Sequence, residues 1–185
     1  MNLSLMSLEI SVVALGLVVL LADLWLPAER KRMLGYAAAA VLGLLFLNTF
    51  TDNCSCSLAN GLADRTCGGM FVQDGLAVFF KRFFLLAAVL VLVLAVEFSD
   101  RIAAGVSEYY SLIVFALAGM LFAASANDFV MLFVSIELIT ITFYVLTSFT
   151  RGQVAALEAG VKYLILGALS SAFMVWHRTD VGHLG

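Results

Sequence analysis

Two ionisable side chains stand inside otherwise apolar stretches, and both are of types that can carry a proton. Glu137 lies in DFVMLFVSIELITITFYVLTSF, residues 128–149, and Lys162 in EAGVKYLILGALSSAF, residues 158–173. A helix rises ~1.5 Å per residue, which puts Glu137 ~13 Å in from Asp128, at a depth without bulk water. An acid there costs roughly 2.5–3.5 kcal/mol on insertion scales, so it must face protein or a wet cavity. Glu137, Thr140, Tyr144, Thr147 and Ser148 recur at intervals of three and four, forming one polar stripe on a helix otherwise built of Phe, Leu, Ile and Val. Two chemistries fit that stripe: a relay for protons or ions, or a neutral acid that hydrogen-bonds helices together.

Lys162 follows Glu158 at i, i+4, the favoured orientation for a helical ion pair. Counted from the loop at Arg151, Glu137 and Lys162 differ in depth by less than a turn, and helices joined by so short a loop are antiparallel neighbours. The expectation is that acid and amine meet in the membrane interior and handle a proton as a coupled pair, with Glu158, Thr140 and Tyr144 in support. The alternative is that Glu158 neutralises Lys162 near the interface.

The elements that must position these groups are membrane helices. Hydrophobic residues make up 63% of the 185 residues and charged residues 12%, with one proline, a composition outside the range of soluble domains. The expected fold is an all-α, polytopic transmembrane bundle of about six helices, spanning roughly 8–26, 33–50, 75–97, 109–124, 128–149 and 154–176 as a single domain, with a polar tail at 177–185. Met1–Ser7 holds no Lys or Arg and the first apolar run is too long for a signal peptide, so the first span is expected to stay. Lys81 and Arg82 fall within two turns of the third span's start, where long side chains snorkel to the interface. Asp128 can cap the fifth helix.

Loop charge gives an orientation. Arg30, Lys31, Arg32, Arg101 and Arg151 fall on one side, Arg65 and Arg178 on the other, with Lys81 and Arg82 near that second side. The first side is predicted to be cytoplasmic, leaving the N-terminus and the polar loop 51–69 outside.

Other motifs carry less. Cys54, Cys56 and Cys67 share the outer loop without a histidine and are one ligand short of a tetrahedral site; a disulfide from Cys67 to Cys54 or Cys56 is the expected use, and no metal is. His177 and His183 lie in the tail and are not read as ligands. No phosphate loop, dinucleotide fingerprint or serine elbow occurs, so no cofactor is expected on this chain, and nucleic acid is excluded as a partner by the low, balanced charge.

The run EYYSLIVFALAGMLFAASANDFVMLFVSIELITITFYVL, residues 108–146, followed by EAGVKYLILGALSSAF, resembles the antiporter-like subunit N of proton-pumping NADH:quinone oxidoreductase, complex I. The start of the third span, Asp74 to Lys81, is similar as well. Related subunits and the Mrp-type cation/proton antiporters share the fifth-helix acid but usually carry tryptophan beside it, where this chain has Ile136; Lys162–Tyr163 favours subunit N. The resemblance implies the first part of a 14-helix fold with an inverted repeat, in a bacterial inner membrane, packed against the complex's other membrane subunits and lipid. It implies a non-redox subunit that moves protons when electrons pass from NADH to quinone elsewhere in the assembly. Glu137 and Lys162 fall on the family's fifth-helix glutamate and sixth-helix lysine. The family continues apolar after Phe173, whereas this chain reads MVWHRTDVGHLG, less than half of the expected subunit; such a truncated chain is expected to be inactive alone. The rival reading is an Mrp-type antiporter subunit.

Overall fold

The structure is a computed structural model that describes residues 6–25, 31–51, 64–66, 70–99, 105–150 and 152–183. Six helices follow one another: α1 (Ser7–Asp23), α2 (Lys31–Thr51), α3 (Gly75–Glu97), α4 (Val106–Ala124), α5 (Phe129–Thr147) and α6 (Val154–His183). A short hairpin, β1 (Asp64–Thr66) with β2 (Phe71–Gln73), precedes α3. Five helices are long and apolar enough to cross a membrane. The sixth, α1, has 17 described residues, or ~26 Å of rise, a few ångströms short of a typical hydrocarbon core.

The core is built around α4. Tyr110, Val114, Leu117 and Leu121 are fully enclosed there, meeting Val12 and Val19 of α1, Leu42 of α2, and Leu85, Leu92 and Val96 of α3. Small residues let the backbones close up. A methyl group on Gly119 of α4 would lie 2.7 Å from Ile139 Cγ1 and 3.1 Å from the Ser135 carbonyl of α5, so this crossing accepts only glycine without a shift. On α5, Ser135 and Thr142 face that contact, and their hydroxyls donate to the carbonyls of Met131 and Leu138 at 2.6 and 2.7 Å. Their polarity is thereby absorbed by their own helix.

Helix starts follow local chemistry. Asp74 caps α3 by accepting from Ala77 N at 2.7 Å, and Asp128 caps α5 by accepting from Val130 N at 3.3 Å. The hairpin is a feature the sequence reading leaves as loop. Three-residue strands are too short to register as alternation, and β2 is held by tertiary pairing: Val72 N donates to Ser125 O and Asn127 N to Met70 O, both at 2.9 Å, strapping β2 across the α4–α5 turn. At the other end of the chain, α6 continues to His183 where a polar tail is expected from 177, since no proline interrupts HRTDVGH. The three cysteines, Arg65's side chain, Arg101 and Arg151 lie outside what is described, and with them the disulfide expectation.

Candidate proton-relay site

Glu137 sits on the face of α5 turned to α6. Its carboxylate accepts a hydrogen bond from Ser171 Oγ of α6. Further along the interface, the Tyr144 and Tyr163 rings meet edge to face at 5.2 Å, Ser148 packs against Gly160, and Arg178 lies 5.1 Å from the Phe129 ring centroid. Each of these pairs is antiparallel partners at one level, so the register of the two helices is fixed at both ends. Gly160 and Gly167 make it possible: a methyl group at either would collide with Ser148 or with the Tyr144 hydroxyl.

That register corrects the depth expected from sequence. Ser171 is level with Glu137, while Lys162 is level with Val145 and Leu146, nine residues away along α6, or ~13 Å. The count from the loop misleads because α6 overshoots α5. Gly160 rather than Val154 lies beside Ser148, so ~9 Å of α6 projects past the end of its neighbour. Lys162 bonds Glu158 at 2.5 Å instead, with 70% and 62% of the two side chains exposed. The structure therefore places Glu137 and Lys162 on one helix pair without joining them.

The supporting hydroxyls are occupied locally. Thr140 donates to the carbonyls of Ile136 and Glu137 at 3.0 Å, Thr147 to Phe143 at 2.7 Å and Ser148 to Tyr144 at 2.9 Å. Each must rotate before it can pass a proton along the stripe. At the Ser148 end, a cavity of about 280 Å³ opens between α1, α4 and α5, with Glu108, Ser111 and Ser148 among apolar walls that include Leu20, Phe115 and Phe149. It is large and polar enough to hold several waters.

Three ion pairs among the described residues escape the sequence reading: Lys31–Asp23 at 2.7 Å, Arg32–Glu97 at 3.5 Å and a buried one. The first span carries a carboxylate, Glu9, and Lys81 does not snorkel: its Nζ lies 2.6 Å from Glu9 Oε1, with the side chains 3% and 0% exposed. Distance from the helix start alone points Lys81 to the interface. A matching acid close to the start of another helix entering from the same side was the available signal. Arg82 does reach an end group, donating to Thr49 O at 3.0 Å and lying over the Phe50 ring at 4.5 Å.

Comparison with known proteins shows what the chain is similar to. Residues 126–177 match the model described as NADH:quinone oxidoreductase/Mrp antiporter, TM. NADH-quinone oxidoreductase subunit N of Heliobacterium modesticaldum is 39% identical over 176 residues, covering 95% of this chain and 36% of that protein. Over most of its length the chain is similar to subunit N. A second subunit N, from Desulforamulus reducens, is 36% identical over 95% of this chain and 35% of its own length. A chain of respiratory complex I from Thermus thermophilus superposes with a TM-score of 0.67 at 25% identity, over 91% of this chain and 35% of that one. The fold is thus that of the antiporter-like membrane subunits. The chain spans about a third of the length of the subunit N relatives it matches. It is a membrane protein, with Glu137, Lys162 and α5–α6 falling inside the matched region.

Proposed function

We propose that this chain is the N-terminal membrane part of a proton-translocating subunit of NADH:quinone oxidoreductase. The observation that carries the reading is Glu137, an acid near mid-span on a helix pair matched by the family model and bonded across that pair to Ser171. A carboxylate kept at that depth by a single hydroxyl, with a wettable cavity at the far end of its stripe, has the chemistry of a proton carrier rather than of a packing residue. Glu137 takes and gives the proton. Tyr144 and Thr140 line the way to it, and Lys162 with Glu158 sets the field at the Arg151 end. The assembly is an oxidoreductase; this subunit is its non-redox part, and NADH and quinone react on other chains. Its partners are the other membrane subunits of complex I and lipid. The naming of the curated relatives as subunit N favours this over the Mrp-type antiporter reading, which the family model shares.

The proposed compartment is the bacterial inner membrane, with the N-terminus and the 51–69 loop outside. The burial of Lys81 and the docking of Arg82 on α2 support that orientation, because neither remains to be counted as a loop charge on the outer side. A membrane-impermeant thiol reagent on intact, reduced cells labels Cys54, Cys56 or Cys67 under this orientation; labelling only after lysis reverses it.

The deciding experiment is Glu137→Gln in the native membrane. NADH-driven acidification of inverted vesicles falls at least tenfold, while NADH oxidation by an artificial acceptor is unchanged. Undiminished pumping at normal protein level removes the reading.

A further inference from the structure

The Glu9–Lys81 pair lies apart from the relay and has a different character. Both side chains are shut off from solvent, and Glu9 Oε2 has no hydrogen-bond partner among the described residues. Lys81 Nζ also sits 4.9 Å from the centroid of the Phe71 ring, itself fully buried. Phe71 belongs to β2, whose backbone is bonded on either side of it to Ser125 and Asn127 in the α4–α5 turn. One cation therefore ties together α1 through Glu9, α3 through its own backbone, and β2 through the ring face, and β2 grips the hairpin that carries Glu137.

A proton relay needs a hydrated approach, and this pair is far from the described cavity. That cavity touches α1 at Leu20, eleven residues from Glu9, or ~16 Å along the helix. We propose that Glu9, Lys81 and Phe71 form a charge-neutral clamp that fixes the α1–α3 layer to the α4–α5 turn and carries no proton. A buried pair of this kind adds little over an apolar equivalent, but removing one member strands the other charge in the interior. The clamp therefore makes a prediction that a relay does not: two neutralisations together are tolerated where either alone is not.

The test compares Glu9→Gln, Lys81→Met and the double variant in the full chain in its native membrane. The first readout is the folded chain recovered in mild detergent. The second is NADH-driven proton uptake per recovered chain. Each single variant lowers recovery roughly tenfold or more, the double variant returns to within about twofold of wild type, and uptake per chain in the double variant is unchanged. Phe71→Leu, which keeps the bulk and removes the ring face, lowers recovery about two- to threefold, and only when Lys81 is present. Three results overturn the proposal: normal recovery of both single variants, a double variant no better than the worse single one, or a well-recovered double variant that does not pump. If wild-type membranes show no NADH-driven uptake, the function proposed above fails, and the recovery pattern still decides the clamp.

Discussion

The two halves of this bundle treat charge in opposite ways. Around α4, helices α1–α3 bury a complete ion pair and enclose large side chains on all sides, so this pair cannot change state without breaking packing. Along α5–α6, Glu137's carboxylate meets a single hydroxyl among the described residues, Lys162 and Glu158 stay exposed, and Gly160 is the one described residue of α6 that is buried. An intramembrane carboxylate can work as a carrier only where its partners are few enough to be exchanged. The α4 side supplies a rigid reference, and the α5–α6 contact supplies a carboxylate whose protonation can change by exchanging one hydroxyl partner.

The largest expected break in that contrast comes from truncating the core. Leu117→Ala should cost about 2–5 kcal/mol, whereas Leu166→Ala on exposed α6 should stay near ±0.5 kcal/mol, read as the shift in thermal aggregation of detergent-solubilised chain. Equal losses would mean that the two halves are packed alike. Gly119→Val tests the close crossing that holds α5 to the rigid side; overpacking of about 1–3 kcal/mol is expected, since the added methyls meet Ile139 and the Ser135 carbonyl.

Smaller effects probe the polar side. Ser171→Ala removes the donor that Glu137 accepts from and should slow pumping about two- to tenfold with little change in stability, following the ~0.6–1.7 kcal/mol typical of interhelical hydrogen bonds in membranes. A loss as large as that of Glu137→Gln would make Ser171 part of the relay itself. Least of all, a double-mutant cycle with Glu137→Gln and Lys162→Met should be additive within ~0.5 kcal/mol, because the register holds the two residues ~13 Å apart along the helices. Strong coupling there would show that the helices slide into another register during turnover.

A polytopic helical bundle was plain in the sequence because long apolar runs admit few other structures in lipid. Glu137 was equally legible: one carboxylate in the middle of such a run stands out against its cost. The pairing of charges was not. Whether Lys162 meets Glu137 or Glu158 depends on how far α6 overshoots α5, and that is fixed by Gly160 and Gly167 packing under Ser148 and Tyr144, contacts without a periodic signature. Glu9 and Lys81 were hidden for a related reason. Seventy-two residues separate them, and their partnership follows from two parallel helices entering from the same side, which no local pattern records. The β2 strap was invisible because its hydrogen bonds belong to the backbone, and backbone donors look the same in every sequence.

That strap limits the kinds of movement available to the helix bearing Glu137. With Ser125 and Asn127 stitched to β2 on either side of the turn, α4 and α5 are pinned at one end like a folded rail and cannot translate past the α1–α3 layer. Any displacement that follows a change of charge at Glu137 is therefore left to its own side-chain torsions and to the α5–α6 contact, where Ser171 is the group it bonds.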